Sequence, residues 1–330
     1  MSATMKVLVL EEAQGAFRLL ETQRPTPGPG EVLVHVVASG VNPLDLKIRA
    51  GEAAHARHAA PAVLGLDLSG VVEAVGDDVL DFEPGDRVFG MTGGVGGVQG
   101  SLATHAVVDQ RLLALAPDGL DLREAAALPL ISITAWEGLV DRAGVRSGQR
   151  VLVLGGAGGV GHVAIQIARS FGARVWAVDA PEKAPVIESL GATAISRDQT
   201  VDDYLAAHTD GEGFDLVYDT VGGPVLDQAF KSVRRFGHVV SCLGWGTHAL
   251  APLSFKAATY SGVFTLLPLL TGVGRERHGE ILREVARLAD LKLLKPIVDP
   301  TRFSLAEADA AHQWLAERRA SGKVVVEIQA

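Results

Sequence analysis

The feature that most constrains the fold is a glycine-rich turn near the middle of the chain. An apolar run over residues 151–154 is followed by seven residues, five of them glycine, and an apolar helix is predicted from residue 162. Gly156, Gly158 and Gly161 give the spacing G-x-G-x-x-G, which permits a tight turn and close backbone approach to a pyrophosphate. The helix N-terminus adds free N–H groups and the positive end of its dipole. The turn predicts a dinucleotide phosphate site formed by Gly156, Ala157, Gly158, Gly159, Val160 and Gly161.

From residue 150 onward, short apolar runs alternate with helical segments. Strands are predicted over 151–154, 175–178, 216–218 and 239–243, and helices near 162–170, 184–190 and 225–233. This βαβαβ order predicts a doubly wound parallel sheet with right-handed crossovers. The first 125 residues are predicted to be mostly strand and loop, because β-branched runs at 32–37 and 70–75 precede a Pro-Gly turn. The fold class is therefore α/β, with a mostly-β domain beside a Rossmann nucleotide-binding domain.

Helices are predicted near 279–294 and, after a capping serine, over 304–320. Residues 322–328 then form a closing strand. Spacing alone allows this strand to extend the parallel sheet or to return to the first domain.

The coenzyme preference depends on Asp179 and Lys183. Asp179 ends the second predicted strand, 23 residues after Gly156, near the spacing at which a carboxylate accepts hydrogen bonds from the adenosine ribose. Its charge would repel a 2′-phosphate and slightly favours NAD(H), whereas Lys183 could attract that phosphate. Asp179 could also cap the next helix instead of touching ribose.

Two further strand ends are candidates for cofactor contacts. Thr220 and Val221 follow the predicted strand 216–218, and Gly244 and Trp245 follow the strand 239–243. Ligands of doubly wound sheets bind at the carboxyl ends of the strands. We therefore expect these four residues to contact the cofactor.

Composition excludes several classes of function. With 330 residues, the chain is long enough for about two domains. Its net charge of −9 would repel polyanions, so neither nucleic acid nor an acidic membrane surface is an expected partner. Cys242 is the single cysteine, which rules out an internal disulfide or a thiolate zinc cluster and favours a reducing compartment. No signal-like or membrane-spanning run is apparent, so a cytoplasmic protein is expected.

In these motifs, the chain resembles the medium-chain dehydrogenase/reductase superfamily, and within it the zinc-independent quinone oxidoreductases. The matching segments include residues 40–51, 64–76, 84–89, the glycine turn, 190–192 and 322–326. The resemblance implies a GroES-like catalytic domain over 1–125 and 295–330, with a Rossmann NAD(P)-binding domain over 126–294. It also implies that the last strand returns to the first domain.

The resemblance bears on metal binding as well. Where zinc alcohol dehydrogenases of the superfamily carry cysteine, histidine and cysteine ligands, the matching positions look like Asn42, Leu66 and Leu130. None of these is a good zinc ligand. The four-cysteine structural zinc lobe of those enzymes is also missing, so no zinc is expected.

Metal-free reduction of a carbonyl acceptor needs a donor for the oxygen on which negative charge develops. Asn42 and Lys47 are the candidates for that donor, and Asp45 is a candidate for orienting them. Some quinone oxidoreductases carry a tyrosine where this chain has Lys47, while other relatives, including enone reductases, carry lysine. The resemblance further implies that Thr134, Phe264 and Leu266 lie near the nicotinamide. For Lys323 two alternatives stay open, contact with a cofactor phosphate and simple exposure to solvent.

The resulting hypothesis is an NAD(P)H-dependent reductase of quinones or α,β-unsaturated carbonyls that works by direct hydride transfer. The alternatives are a zinc-free alcohol or aldehyde dehydrogenase and a non-catalytic NAD(P)-binding sensor. A homodimer is expected from the resemblance, with the apolar segment 260–267 as an edge.

Overall fold

The structure is a computed structural model that describes residues 3–328. Its strands are β1 Thr4–Leu10, β2 Phe17–Gln23, β3 Glu31–Gly40, β4 Asp67–Val75, β5 Arg87–Met91, β6 His105–Asp109, β7 Leu113–Leu115, β8 Arg150–Leu154, β9 Arg174–Asp179, β10 Thr193–Ser196, β11 Phe214–Asp219, β12 Val233–Ser241, β13 Thr259–Gly262, β14 Phe303–Ser304 and β15 Val325–Glu327.

The α-helices are α1 Pro43–Ala50, α2 Leu122–Ala126, α3 Pro129–Trp136, α4 Gly159–Ser170, α5 Ala184–Ser189, α6 Val201–Thr209, α7 Pro224–Ser232, α8 Ala251–Ser254, α9 Leu267–Thr271, α10 Arg275–Asp290 and α11 Ala308–Ala316. A π-helical segment, Glu137–Arg142, continues α3. Short 3₁₀ turns occur at Ala54–Ala56, Gln110–Leu112, Pro181–Lys183 and Leu305–Glu307. None of the helices within residues 3–328 is both long and apolar enough to cross a membrane.

The chain divides into two compact units. The first contains Met1–Leu130, Leu266–Lys292 and Pro296–Ala330, and the second contains Ile131–Thr265 with Leu293–Lys295. The segment 266–292 was predicted within the nucleotide-binding domain, but its contacts group it with the first unit. One reason is that α10 packs against the turn after β6, where Arg275 pairs with Asp109 at 3.0 Å.

The second unit is a doubly wound parallel sheet. Its strand order is β10-β9-β8-β11-β12-β13, and each of its five neighbouring pairs is parallel. This order places a topological switch between β8 and β11, where the chain reverses its direction of winding. The interior strands are buried on both faces, as Leu152, Val217 and Val239 illustrate. The predicted α/β fold class is confirmed.

The first unit is built on a mostly antiparallel sheet, in which β14 and β15 pair in parallel. Strands run in the order β14-β15-β3-β4-β5-β7, with β6 paired to the other part of β3, while β1 and β2 form a separate hairpin. β15 pairs antiparallel with β3, so that Val325 lies opposite Gly40. The expected return of the last strand to this domain is confirmed.

Most predicted elements occur close to their expected positions, and the structure adds others, among them the helices α1, α2, α6, α8 and α9 and the strand β10. Helix α1 interrupts a region predicted to be strand and loop; Asn42 and Asp45 form its capping box, with Pro43 at its first position. Strand β10 and helix α6 are additional elements of the second unit. Helix α6 begins with a Thr200–Asp203 capping box, a signal that was available in the sequence.

Candidate functional site

The glycine turn joins β8 to α4 with almost no space for side chains. An ideal Cβ on Gly156 would lie 2.5 Å from the Cβ of Ala177, and one on Gly161 would lie 2.0 Å from the carbonyl oxygen of Gly155. Glycine is therefore required at both positions for the helix to approach the strand this closely. Gly158 is the N-cap of α4, and the N–H groups of the first helical turn have no partners within the helix. This geometry suits the phosphates of a dinucleotide.

Asp179 closes one side of the turn. Its Oδ2 accepts a hydrogen bond from the Ala157 N–H at 2.8 Å, and its Oδ1 accepts one from the Ala180 N–H at 2.8 Å. The carboxylate at the end of β9 is thus fixed beside the glycine turn. Lys183 lies in the 3₁₀ turn Pro181–Lys183 that follows.

The loop after β11 packs against the same turn. The Thr220 hydroxyl donates to the Leu154 carbonyl oxygen at 2.7 Å, so this side chain ties the ends of β8 and β11 together. The buried Asp219 carboxylate accepts hydrogen bonds from the N–H groups of Val221 and Gly222, both at 3.0 Å. The structure therefore brings Thr220 and Val221 to the glycine turn. The position of Asp219 at this strand end was evident in the sequence, but its role in ordering the loop was not.

Aromatic side chains lie beyond the ends of β12 and β13. Gly244 and Trp245 follow β12, and the Trp245 ring meets the Phe264 ring edge-on with centroids 5.9 Å apart. Trp245 is about half exposed, whereas Leu266 is buried and belongs to the first unit. Trp245 and Phe264, both predicted as cofactor-binding residues, thus lie together.

Thr134 belongs to a chain of hydrogen bonds in the second unit. Its Oγ1 lies 3.2 Å from the Oγ1 of Thr265, whose hydroxyl donates to Oε2 of Glu137 at 2.8 Å. The Thr134 carbonyl oxygen accepts a hydrogen bond from the Tyr218 hydroxyl at 2.6 Å. Neither Glu137 nor Thr265 was identified from the sequence, because they are far apart in the chain and match no motif.

The first unit contains a buried polar cluster, which we define as Asn42, Asp45, Asp67 and Lys323. Asn42 Nδ2 donates to Asp67 Oδ2 at 2.9 Å, and the Asn42 N–H donates to Asp45 Oδ2 at 2.8 Å. Lys323 Nζ donates to the Val41 carbonyl oxygen at 2.9 Å and to Asn42 Oδ1. The cluster holds the loop between β3 and α1 against the C-terminal segment.

Burial shifts the protonation equilibria of this cluster. It raises the pKa of Asp45 to about 7, and it raises the pKa of Asp67 to about 6 although Lys323 and Asn42 act in the opposite direction. The pKa of Lys323 is lowered, because burial disfavours its ammonium form more than the two carboxylates favour it. Asp45 Oδ1 is buried without a hydrogen-bond partner in the part of the chain that the structure describes.

Several expected roles differ from this geometry. Lys323 was expected either to contact a cofactor phosphate or to be exposed, but its ammonium is buried in the polar cluster and its hydrogen bonds go to Val41 and Asn42. Asn42 was a candidate donor to the substrate; it is fully buried, and both ends of its amide are engaged. Lys47, by contrast, is exposed on α1.

The resemblance to zinc enzymes raises the question of a metal at Asn42, Leu66 and Leu130. Two of these side chains are hydrocarbons, and the Asn42 amide is committed to Asp67 and Lys323. Over residues 3–328, no three His, Cys, Asp or Glu side chains are grouped to hold a metal ion. This donor set does not fit catalytic zinc.

The glycine turn at the switch of a doubly wound sheet defines a dinucleotide-binding α/β protein. Comparison with family models agrees with this class: residues 28–118 match an alcohol dehydrogenase GroES-like domain, and residues 190–326 match a zinc-binding dehydrogenase. The chain belongs to the medium-chain dehydrogenase/reductase superfamily of oxidoreductases, as its sequence motifs predicted.

Three relatives illustrate this membership. A 2-methylene-furan-3-one reductase of Solanum lycopersicum is 37% identical over 303 residues, which cover 90% of this chain and 71% of the relative. An NADPH-dependent alkenal/one oxidoreductase, chloroplastic, of Arabidopsis thaliana is 35% identical over 305 residues, covering 90% and 72%. The crystal structure of an alcohol dehydrogenase superfamily protein from Novosphingobium aromaticivorans matches with a TM-score of 0.97 and 56% identity, covering 98% of this chain and 100% of the other.

Proposed function

We propose that this protein is an NAD(P)H-dependent reductase of α,β-unsaturated carbonyl compounds that needs no metal. The observation that carries the proposal is the strand–turn–helix cradle at Gly156 and Gly161, in a chain 37% identical to a 2-methylene-furan-3-one reductase. Quinones are further candidate acceptors, because they contain the same conjugated carbonyl unit.

The second unit binds the coenzyme. The backbone N–H groups at the start of α4 hold the pyrophosphate, with Gly156, Ala157, Gly158, Gly159, Val160 and Gly161 forming the cradle. Val221, Gly244, Trp245 and Phe264 contact the coenzyme from the ends of the following strands, and Thr220 supports them. A bound reduced nicotinamide supplies the hydride.

Lys47 is the proposed donor to the acceptor. Hydride addition at the β-carbon of an enone places negative charge on the carbonyl oxygen, and an ammonium group stabilises that charge. The exposed Lys47 can provide this group, whereas the Asn42 amide is already engaged. Asn42 and Asp45 act indirectly, by fixing the loop that leads into α1.

NADH is the coenzyme that the Asp179 geometry favours. Its carboxylate is anchored by the N–H groups of Ala157 and Ala180, so its charge cannot readily move away from an adenosine 2′-phosphate. The Arabidopsis relative is named as NADPH-dependent, and Lys183 offers a positive charge nearby in sequence. We therefore expect both coenzymes to work, NADH better.

The expected partners are a small-molecule acceptor and a second copy of the chain. β13 ends the parallel sheet with one side unpaired within the described residues, so a copy could add to it there. The single thiol, Cys242, is in keeping with a reducing compartment such as the cytoplasm.

The test follows the absorbance of NADH and NADPH with purified protein, but-3-en-2-one or a simple benzoquinone, and EDTA present. Turnover of the enone supports the proposal. Gly158→Asp should abolish it, because the added carboxylate faces the pyrophosphate, whereas Gly158→Ala adds an uncharged methyl group where φ is −73° and should retain it. Oxidation of alcohols without enone reduction would indicate a zinc-free alcohol dehydrogenase, and tight coenzyme binding without any turnover would indicate a sensor.

A further inference from the structure

A cavity of about 800 Å³ lies in the second unit, away from the glycine turn. Its wall includes Arg150, the first residue of β8, whereas the glycine turn follows Leu154, the last residue of the same strand. Arg234, near the start of β12, belongs to the wall as well. Because parallel strands share one direction, the cavity lies at the amino edge of the sheet, opposite the edge that carries the phosphate cradle. A molecule bound there would leave the cradle open.

Two phenylalanines of the cavity wall are largely exposed. Phe236 is 77% exposed and Phe255 is 87% exposed. They belong to neighbouring segments, because the Phe236 N–H donates to the Lys256 carbonyl oxygen at 2.8 Å. Phe236 has a φ of 59°, a left-handed conformation that is rare for a bulky side chain, and strained backbone of this kind clusters at functional sites. Exposed apolar groups that adjoin one another mark a surface at which a ligand or partner binds.

The charges of the cavity wall leave one guanidinium unpaired. The Arg150 guanidinium pairs with Glu212 at 2.9 Å, and the Arg234 guanidinium pairs with Asp215 at 2.5 Å. The exposed guanidinium of Arg235 has neither a hydrogen-bond partner nor an ion-pair partner among residues 3–328. Over the whole wall, four cationic and three anionic side chains leave an excess of one positive charge. The cavity therefore presents a guanidinium with unused donors beside two phenyl rings.

We propose that this cavity is a binding site for a planar aromatic carboxylate, whose rings contact Phe236 and Phe255 and whose carboxylate pairs with Arg235. Aromatic rings attract one another in stacked or edge-on arrangements. A guanidinium holds a carboxylate through two parallel hydrogen bonds. The excess of one positive charge matches a single carboxylate, and the volume is within the range of small-molecule sites. The site goes beyond the proposed function, since it uses neither coenzyme nor hydride.

The test measures the binding of 2-naphthoate and of its uncharged counterpart 2-naphthamide by calorimetry, with and without saturating NADH. The wild-type protein should bind the carboxylate about fivefold more tightly than the amide, in keeping with one partly exposed ion pair. Arg235→Gln should bind the two compounds equally. Phe236→Asn should weaken both to the same degree, because asparagine removes the ring but tolerates a left-handed backbone.

Arg142→Gln is the matched control, because Arg142 is an exposed arginine of the same unit outside the cavity wall. It should keep the preference for 2-naphthoate, and NADH affinity should be the same in all variants. Displacement of 2-naphthoate by NADH, or an unchanged preference in Arg235→Gln, would overturn the proposed site.

A wild-type protein that binds neither naphthalene compound would also overturn the site. If Phe255→Ser then dissociated a dimer of the protein, the two phenyl rings would belong to an interface between copies. A wild-type protein that binds 2-naphthoate but no reduced coenzyme would overturn the proposed function and leave the site in place.

Discussion

The Asp179 carboxylate accepts a hydrogen bond from the backbone N–H of Ala157, so the end of β9 is tied to the glycine turn after β8. A single side chain thereby shapes the phosphate cradle and places a fixed negative charge beside it. These two effects can be separated by substitution.

We expect Asp179→Ser to shift coenzyme preference towards NADPH. The serine hydroxyl removes the charge that repels a 2′-phosphate, and a charge–charge interaction of about 1 to 2 kcal/mol corresponds to a shift of about tenfold in the kcat/KM ratio. The measurement is kcat/KM for both coenzymes at constant ionic strength. Asp202→Ser, which changes an exposed aspartate of α6, is the control and should leave the ratio unaltered. An unchanged ratio for Asp179→Ser would assign Asp179 a purely structural role.

Lys47→Met should lower kcat for enone reduction about 100-fold, the usual loss when one charge-stabilising donor is removed. Coenzyme affinity, measured by fluorescence titration with NADH, should remain the same. Lys47→Arg should recover part of the rate because it keeps the positive charge. The control is Lys6→Met, a change at another exposed lysine of the first unit. A normal kcat for Lys47→Met would show that another group polarises the acceptor.

Stability should depend on pH through Asp45 and Asp67. Their pKa values are raised to about 7 and about 6 in the folded protein from 3.8, because burial disfavours the charged forms. A raised pKa means that the folded state binds more protons than the unfolded state. Their contribution to stability is therefore fully present below about pH 4 and is lost as pH rises to about 7.

Asp45→Asn should flatten that dependence, since the amide does not titrate. The free energy of unfolding, measured in urea at pH 5 and pH 8, should differ less between the two pH values than it does in the wild type. Asp81→Asn, at an exposed aspartate, should reproduce the wild-type difference. The charge of Asp67 affects the titration of Asp45, so the pH dependence of stability reports on both carboxyl groups together. An Asp45→Asn profile as steep as that of wild type would contradict this assignment.

The protein should sediment as a dimer at micromolar concentration. Thr259→Lys places a charge on the exposed edge strand β13 and should shift the equilibrium towards monomer. Thr193→Lys places the same charge on β10, the opposite edge of the sheet, and should leave the dimer intact. If both variants dissociate equally, or neither does, β13 is not the interface.

The phosphate cradle was predictable from the sequence because its residues are consecutive and the glycine spacing has a direct mechanical cause. The parallel sheet was also predictable, because short apolar runs alternate with helical segments along the sequence. The polar cluster and the hydrogen bonds among Thr134, Thr265 and Glu137 were not predictable, since Lys323 and Asn42, or Thr265 and Glu137, meet only through tertiary packing. Lys323 illustrates the difficulty: a lysine beside a glycine is typical of a surface, and its burial is made tolerable by its hydrogen bonds to Val41 and Asn42 and by the nearby Asp67 carboxylate.

The hydrogen bond between Lys323 and Asn42 joins residues 281 positions apart. During synthesis, Asn42 and Asp67 therefore lack the Lys323 ammonium as a partner until residue 323 has left the ribosome. Residues 131–265 of the second unit, in contrast, are continuous and can begin to fold earlier. The order of synthesis thus favours a nascent chain in which the coenzyme cradle forms first, and bound coenzyme could stabilise that intermediate while the first unit is still incomplete.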